Sequence, residues 1–540
     1  MLERLREMDA LSFFCIVVLL LFFGVAHGRE EEKMNRGPHK VLFSNDTTNI
    51  LTCVSPYHKK GESFQEKMLE ATVDETSGIG VDIHLLQPAH GWVPWWQSKV
   101  YSIQEHHNWW KEHFKVDPRN SVHSYLLKGG DVLGAFTTRC RERGLAPFIS
   151  LRLNDAHHLS HVGTPNNTRG VHAICRFYAE HPEYRIDPKD GGRGVQNWAI
   201  PAVRAYKFAL IQEICENYDI DGLELDFMRH PQFFRLAETT LSERIDIING
   251  FVQKVRELLN RTARSGQYRR LCARIPAFLP EYNALGIDLP SFVEAGVDML
   301  NLSISYFTEQ QTDLPTIRKM VPETMIYLEM THCTMTGKRL TKGGGDNFTF
   351  RRTTDEQFYT TANLAYARGA NGISVFNFVY YREHGTPDRG PFNEPPFHIL
   401  KHIGDPEWLA CQPQHYFISA RGYVNHHLPK KLEVGQTASF TLDMAPPKGG
   451  WDIDGKLRIQ VREPIHNSQW QSRFNGGELT ASSNVSEPYP NLYLPGLGHS
   501  EELYAWTVPV DRLKNGVNII DITMVKGNAN EVIFLDLAVN

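Results

Sequence analysis

Short apolar runs alternate with longer helical patterns between residues 40 and 380 of the 540-residue chain. The short runs are rich in β-branched and aromatic residues and alternate in polarity or are apolar throughout, which is typical of strands. Eight such runs occupy 41–44, 80–86, 147–153, 220–226, 271–275, 299–304, 325–330 and 372–376.

Apolar positions three and four residues apart indicate helices between most of these strands, over 132–143, 203–217, 244–259, 289–295 and 355–368. The last helix ends before Gly369, as a helix with a glycine after its end does. Eight strands alternating with helices predict an α/β fold, a (β/α)8 or TIM barrel over about residues 40–400. A doubly wound open sheet is the alternative, but no glycine-rich phosphate loop supports it.

The pattern changes near residue 415, where helical periodicity gives way to alternating Tyr, Val, Ile and Thr broken by Pro-Gly and Asn-Gly turns. Segments 437–442, 456–461, 503–508 and 517–523 have the length and spacing of sandwich strands. We therefore expect a separate β-sandwich domain over 415–540, joined to the barrel by a linker around 402–412.

The first 28 residues resemble a secretory signal peptide. Leu11 to Val25 is almost wholly apolar, Arg4 and Arg6 precede it, and small residues at Ala26 and Gly28 offer a cleavage site. This predicts a secreted or extracellular protein with no membrane contact after cleavage. A signal-anchored protein is the alternative, although the run is shorter than the roughly 20 residues that span a bilayer.

Two further features of the sequence, its glycosylation acceptors and its cysteines, relate to the predicted secretion. Asn-x-Ser/Thr acceptors occur at Asn45, Asn166, Asn260, Asn301, Asn347 and Asn484. Asn301 lies on a predicted strand and Asn45 at the end of one, so both are expected to be inaccessible. Seven cysteines follow the signal segment, so disulfide bonds are expected but an odd thiol remains, and the pairing stays open.

The composition of the chain limits the classes of molecule that it can bind. The chain is 41% hydrophobic and 22% charged, with a formal net charge of −5 and no basic run. Nucleic-acid binding depends on Lys and Arg neutralising phosphates, so we expect no nucleic-acid partner.

The strand at 220–226 carries the most informative chemistry. Its period of two places Glu224 and Asp226 on one face and Leu223 and Leu225 on the other. Unpaired buried carboxylates are costly and therefore rare without a function. The structural alternative is an ion pair with a neighbouring arginine.

Active sites of (β/α)8 barrels lie at the carboxyl ends of the strands. Strand four ends at Glu224 and Asp226, and strand seven carries Glu329. Opposed acids across a barrel mouth are what glycoside hydrolysis requires, because one protonates the leaving oxygen and the other attacks or activates water. We predict Asp226 and Glu329 as the catalytic pair, with Glu224 as the third candidate.

Polar and aromatic residues near the other strand ends predict a carbohydrate partner. Tryptophans after strand two could stack on sugar rings, and the polar side chains could bind hydroxyl groups. The predicted substrate-binding residues are His84, Trp92, Trp95, Trp96, Arg152, Asn154, Asp155, His157, Arg229, His230, Arg274, Tyr306 and Asn377. No cofactor and no metal site is expected, since the spacing of the histidines matches no strong metal motif.

Two alternatives remain. A non-catalytic carbohydrate-binding barrel would keep the tryptophan loop while Arg152 and Arg274 neutralise its acids. A metal-dependent hydrolase would use Asp82, His84, Asp155 and His157 as ligands.

The run from Asp221 to Pro231, with Leu151 to Asp155 on strand three and His84 to Pro88 on strand two, resembles the glycosyl-hydrolase-like family 10 proteins. The similarity covers about residues 40–540. It implies a secreted glycosidase barrel with an appended β domain, in a family whose substrates are mostly unassigned.

Strand four also has more distant similarities. Chitinase-like barrels have a catalytic Glu at the position of Met228, so their substrate-assisted mechanism is not expected here. Amylase-like barrels have an Asp nucleophile followed four residues later by His, as Asp226 and His230 are, but Glu224 replaces their Arg. Barrels of the large retaining clan place the acid/base on strand four and the nucleophile on strand seven, which implies Asp226 or Glu224 with Glu329.

Overall fold

The computed structural model describes residues 39–46, 50, 62–88, 90–118, 121–157, 171, 173–190, 192–338, 350–382, 394–419, 428–466, 468–490 and 497–539. The predicted signal peptide, Cys53, Asn166 and Asn347 lie outside these residues. Among the helices of the described residues, none has the length and apolar character needed to cross a bilayer.

Eight parallel strands close into a barrel, which confirms the predicted (β/α)8 fold. In chain order these strands are β1 Val41–Asp46, β2 Ile83–Gln87, β3 Ala146–Arg152, β4 Gly222–Asp226, β5 Arg270–Pro276, β6 Met299–Ser303, β7 Met325–Thr331 and, after a short antiparallel pair of β8 Cys333–Met335 and β9 Phe350–Arg352, β10 Gly372–Phe376. Strand β10 pairs with both β1 and β7, so the sheet has no open edge.

Helices cover the outside of the barrel. They are α1 Glu66–Asp74, α2 Ile103–Phe114, α3 Ser121–Leu127, α4 Val132–Glu142, α5 Arg176–Glu180, α6 Pro201–Asn217, α7 Leu241–Thr262, α8 Tyr282–Leu285, α9 Leu289–Glu294, α10 Leu314–Met320, α11 Asp355–Ala367 and α12 Pro406–Leu409. Two start with reciprocal capping hydrogen bonds, from Thr240 and Glu243 in α7 and from Thr354 and Gln357 in α11. Their buried apolar faces hold them against the strands.

The barrel interior has an apolar end and a polar end. Near the amino ends of the strands it is filled by Leu42, Ile83, Leu85, Ala146, Phe148, Cys272, Met299 and Tyr327. Alternate side chains of a strand point to the same side, so the inward positions further along three strands are charged or polar: Glu224 and Asp226 in β4, Arg274 in β5, and Glu329 and Thr331 in β7. The barrel interior is therefore apolar near the amino ends of the strands and charged near their carboxyl ends.

The remaining strands form a β-sandwich, which confirms the second part of the predicted fold. One sheet contains β11 Gln414–Ile418, β12 Lys430–Leu432, β14 Gly455–Val461, β17 Thr480–Ser482, β18 Leu503–Val508 and β20 Asn530–Val539. The other contains β13 Thr437–Met444, β15 Gln469–Phe474, β16 Gly477–Glu478 and β19 Gly516–Lys526. Their alternating apolar residues share one core, which includes Phe440 and Ile520 of one sheet and Trp506 and Leu535 of the other.

Strand β11 attaches the sandwich to the barrel. The backbone N–H of His415 donates to Thr360 Oγ1 of α11 at 2.7 Å, and Gln310 Nε2 donates to the carbonyl of His415 at 3.1 Å. All four groups are buried, so the contact is a packed interface that holds β11 against α11.

The expected disulfide bonds are not found among the described cysteines. Cys140, Cys175, Cys215, Cys272, Cys333 and Cys411 form no disulfide with one another. Of the described glycosylation acceptors, Asn45 and Asn301 are buried and Asn484 is exposed. The Asn301 amide donates to Glu224 inside the barrel, so attachment of a glycan there would require unfolding the core.

A candidate active site at the carboxyl ends of the barrel strands

Arg274 lies between two buried carboxylates on β4 and β7. Its Nε and Nη2 donate to the two oxygens of Glu329 at 2.7 Å each, and its Nη1 donates to Asp226 at 3.1 and 3.2 Å. None of the three side chains has exposed surface. Burial opposes the charge of Arg274, but Glu329 and Asp226 outweigh it and hold the pKa above its ordinary value. One guanidinium thus joins the two acids predicted as catalytic.

Both carboxylates accept further hydrogen bonds. Ser303 Oγ donates to Glu329 at 2.5 Å, and Asn301 Nδ2 lies 3.4 Å from the same carboxylate. Gln87 Nε2 donates to Asp226 at 3.0 Å, and the backbone N–H of Met228 donates at 2.8 Å. Each of these partners of the two acids is a donor, which stabilises carboxylates as acceptors in a dry site.

Glu224 lies one inward position below Asp226 and has a different environment. It accepts from Ser150 Oγ at 2.6 Å and from Asn301 Nδ2 at 3.0 Å. Burial and the charge of Asp226 raise its pKa to about 7, although Arg274 and these hydrogen bonds oppose the shift. Glu224 therefore carries a proton up to near-neutral pH, which suits a proton-holding acid.

Arg152, at the end of β3, gathers a second pair of acids. It donates to Asp46 at 2.5 Å and to Asp155 at 3.1 Å. It also donates to Gln87 Oε1 at 2.9 and 3.2 Å, and the amide of Gln87 in turn donates to Asp226. Arg152 therefore neutralises Asp46 and Asp155 and not the acids of β4, and Gln87 connects the group around Arg152 with the group around Arg274.

A further group of side chains follows β3, β4 and β6, of which Asp155 and Arg229 are buried and His157 and Tyr306 are partly exposed. Asp155 accepts from His157 Nδ1 at 2.8 Å, and His157 Nε2 contacts Arg229. Arg229 donates to Tyr306 Oη, and its guanidinium lies 4.9 Å from the centre of that ring. Burial would raise the pKa of Asp155, but His157, His90 and Arg152 hold it well below its usual range.

His230 completes this outer group, and burial lowers its pKa to about 3. Its Nδ1 accepts from the backbone N–H of Ala156 at 2.9 Å, and its ring meets that of His157 edge-on at 5.1 Å. Asp155, His157 and His230 each have a ligand-type atom within 4.8 Å of the others, which is close enough for one metal ion to contact all three.

The donor set does not suit a cation. A neutral imidazole has one lone pair available to a metal. In His230 the Nδ1 lone pair accepts from Ala156, and in His157 the Nε2 lone pair faces the Arg229 guanidinium. A second cation beside Arg229 would also be repelled. These three residues therefore fit a hydrogen-bonded group better than a metal centre.

Three backbone positions at this end of the barrel are left-handed. His230, Ser305 and Asn377 have φ values of 56°, 61° and 52°, and they follow β4, β6 and β10. Such conformations cost energy in residues other than glycine and tend to be kept at functional sites. Asn377 is buried at the end of β10, and its Oδ1 has no hydrogen-bond partner.

His84 does not reach this cluster, because it occupies the outward-facing alternate position of β2. Its ring packs between Phe43 and Phe136, and its Nδ1 lies 3.1 Å from Thr76 Oγ1. Burial lowers the pKa of His84 to about 3. Asp82 is also elsewhere, since its carboxylate accepts from the backbone at the start of β1. The ligand set of the metal-dependent alternative is thus not assembled.

The predicted tryptophan platform is also not formed. Trp92, Trp95 and Trp96 are each 1% exposed and belong to the core. Trp96 Nε1 donates to Glu213 of α6 at 3.2 Å, and Lys207 of the same helix lies 3.7 Å from the Trp92 ring centre. These rings anchor the loop after β2 to α6, so they offer no face to a sugar. Their clustering in sequence reflected packing.

Asn154 connects two loops at the barrel mouth. Its Nδ2 donates to the carbonyls of Gln196 and Gln232, at 2.8 and 2.6 Å, and its Oδ1 accepts from the backbone N–H of Gln196. Its side chain is fully buried, so its role is to position these loops.

Several residues of the site were missed from the sequence. Gln87, Asp46, Ser150, Asn301 and Ser303 contact the predicted acids or arginines but were not assigned a role. The alternation of side chains along each strand could have identified them, because each is polar and lies on the inward face of its strand, as Glu224 and Asp226 do.

The fold and the site together define a (β/α)8 barrel with an ionic cluster at the carboxyl ends of its strands. No protein-family model and no curated protein matches the chain. Solved structures that resemble it include glycoside hydrolases. One is the glycoside hydrolase domain of PgaB (BpsB) from Bordetella bronchiseptica, with 10% identity, 64% of this chain and 95% of that chain covered, and a TM-score of 0.40.

Two other structures extend over more of the chain. An endo-fucoidan hydrolase of glycoside hydrolase family 107 has 13% identity, 91% and 67% coverage and a TM-score of 0.39. A cycloisomaltooligosaccharide glucanotransferase from Paenibacillus sp. has 10% identity and a TM-score of 0.29. It matches 92% of this chain, which spans 57% of its length. At such identities and scores, activity and substrate rest on the residues of the site.

Proposed function

We propose that this protein is a glycoside hydrolase that cleaves O-glycosidic bonds with two carboxylates. The observation that carries the proposal is that Asp226 of β4 and Glu329 of β7 converge on one guanidinium, Arg274, at the carboxyl ends of a closed barrel. This is the end at which (β/α)8 enzymes perform their chemistry. Paired acids on separate strands are the minimal requirement for glycoside hydrolysis.

The three acids divide into two kinds. Asp226 and Glu329 accept only from donors and share a cation, as an attacking or base-forming carboxylate requires. Glu224, whose pKa is raised to about 7, holds a proton and shares the Asn301 amide with Glu329. We therefore assign Glu329 as nucleophile or base, Asp226 as its partner carboxylate, and Glu224 as the third group, the acid that can hold a proton.

The strand-four run from Asp221 to Pro231 supports placing the chain beside the glycosyl-hydrolase-like family 10 proteins. The substrate is then a glycan, and the apolar segment at residues 11–25 supports secretion.

The test measures turnover and binding together. Full-length secreted wild type, Asp226→Asn and Glu329→Gln are incubated with aryl glycosides and polysaccharides, and released sugar and equilibrium binding are recorded. Asp187→Asn and Glu407→Gln are matched controls, since both acids are exposed and outside the barrel mouth. We expect both site variants to lose at least about 100-fold in kcat while still binding glycan, and the controls to keep activity.

A second candidate, a non-catalytic carbohydrate-binding barrel, is favoured by the complete burial of Asp226, Glu329 and Arg274. In that case the arginine neutralises the acids and no proton transfer to a substrate follows. Glycan binding by the wild type without release of sugar on any substrate would support this candidate and contradict the hydrolase.

A further inference from the structure

Arg229 differs from the other two arginines at the carboxyl ends of the strands. Arg152 and Arg274 each bind two carboxylates. Arg229 is also buried, with 6% exposed, yet among the described residues no carboxylate lies within 4.0 Å of it. Its contacts are the Tyr306 hydroxyl and ring and the His157 imidazole, and its Nε has no hydrogen-bond partner.

A buried cation without a counter-charge is costly. Among the residues that the structure describes, the groups around Arg229 do not supply the missing charge. His157 is neutral in this arrangement, because Nδ1–H donates to Asp155 while Nε2 faces Arg229. Asp155 itself is occupied by His157 and Arg152. The guanidinium therefore keeps unused capacity for an acceptor that carries negative charge.

The position of Arg229 makes this capacity accessible to a ligand. It lies three residues after Asp226, in the loop that leaves β4. The His157 side chain beside it is 30% exposed, and Tyr306 and His230 are also partly exposed. A ligand that reaches Asp226 through the barrel mouth would pass this group.

We propose that Arg229, with His157 and Tyr306, forms a subsite for a negatively charged substituent of the glycan, a carboxylate or a sulfate ester. The planar guanidinium presents paired N–H donors that match either oxyanion. This inference rests on the proposed function and adds the charge class of its substrate.

The experiment is a glycan array with neutral, uronate-containing and sulfated members, probed with the labelled full-length protein, followed by titration of the best ligand of each class. We expect the wild type to bind at least one anionic class about ten-fold or more tightly than its neutral counterpart, since a charge-assisted hydrogen bond is worth that much. Stronger binding of uronates or of sulfated glycans identifies which oxyanion is recognised.

Three variants test the residue. Arg229→Gln should lose the preference for anionic glycans, whereas Arg176→Gln, which removes an exposed positive charge of α5, should keep it. Arg229→Lys keeps the charge without the planar guanidinium and should retain a reduced preference for anionic glycans. If Arg229→Gln does not fold, Arg229→Lys still tests the contribution of the guanidinium. A wild type that binds neutral and anionic glycans equally, or a preference that survives Arg229→Gln, would overturn the proposal.

The outcomes separate this subsite from the hydrolase. Anionic binding that depends on Arg229 without any turnover would support the subsite and contradict catalysis. Hydrolysis of neutral and anionic glycans at equal rates, unchanged for both classes by Arg229→Gln, would support catalysis and contradict the subsite.

Discussion

Replacing Glu224 by Gln should make the protein more stable at alkaline pH and leave it unchanged at acid pH. Glu224 has an ordinary pKa of 4.5 that burial and Asp226 raise to about 7. A tenfold change in proton affinity is worth about 1.4 kcal/mol, so retaining the ionised form costs the folded protein about 3 kcal/mol. Gln is isosteric, and the Ser150 hydroxyl can accept from the new amide as readily as it donates to the acid.

The sign of the pH dependence follows from the protons bound. Between about pH 4.5 and pH 7 the folded protein keeps a proton on Glu224 that the unfolded chain has released, so the contribution of Glu224 to stability falls as pH rises through this window. Urea denaturation of wild type and Glu224→Gln, followed by tryptophan fluorescence from pH 4 to pH 8, measures it. We expect the free-energy difference to grow from near zero to about 3 kcal/mol in favour of the variant.

The exposed Glu216 of α6 provides a matched control, because Glu216→Gln changes the same chemical group outside the cluster. Its stability relative to wild type should not vary with pH. If the difference for Glu224→Gln is also independent of pH, or if that variant is less stable at pH 8, Glu224 does not hold a proton in the fold and its assignment as an acid fails.

Two further predictions concern the ion pairs and the compartment. Arg274→Met leaves Asp226 and Glu329 buried without their shared cation and should lower the free energy of unfolding by about 3–5 kcal/mol, measured by urea denaturation. The triple variant Arg274→Met, Asp226→Asn, Glu329→Gln should recover most of the lost stability. No recovery would contradict the pairing of the arginine with the two acids. If the chain is secreted from eukaryotic cells, Asn484→Gln should remove one glycan from its mass whereas Asn301→Gln should not, because Asn484 is exposed and Asn301 is buried; a glycan on Asn301 would contradict the buried position of β6.

The sequence predicted the scaffold well because strands and helices leave periodic signals. The eight barrel strands lie within a few residues of their predicted positions, and four sandwich strands were also located. The two acids of β4 were assigned to the same face from the period of two alone. This rule needs only neighbours in the sequence, so it holds before any tertiary contact is known.

The side-chain partners were harder to predict, because they depend on strands that are distant in the sequence. The Arg274–Glu329 pair joins residues 55 positions apart, and the Gln87–Asp226 pair joins residues 139 apart. The tryptophans after β2 show the opposite error: their number in one loop suggested a binding surface, whereas they pack against Glu213 and Lys207 of α6 and are buried. Parity along β2, which places Gln87 inward and His84 outward, could have corrected one assignment.

The charged groups at the carboxyl ends of the barrel strands differ in whether they are paired within the protein. The acids Asp46, Asp155, Asp226 and Glu329 are each joined to Arg152 or Arg274. Glu224 holds a proton to near-neutral pH, so it adds no charge to be compensated there. Within the described part of the cluster the cation without a carboxylate is Arg229, in the loop after β4. A negatively charged group could bind Arg229, three residues after Asp226 in the chain, without breaking an existing ion pair, whereas a neutral sugar would leave Arg229 uncompensated. The pairing of the four acids with Arg152 and Arg274, which leaves Arg229 without a carboxylate among the described residues, thus supports the proposed subsite for an anionic group at Arg229.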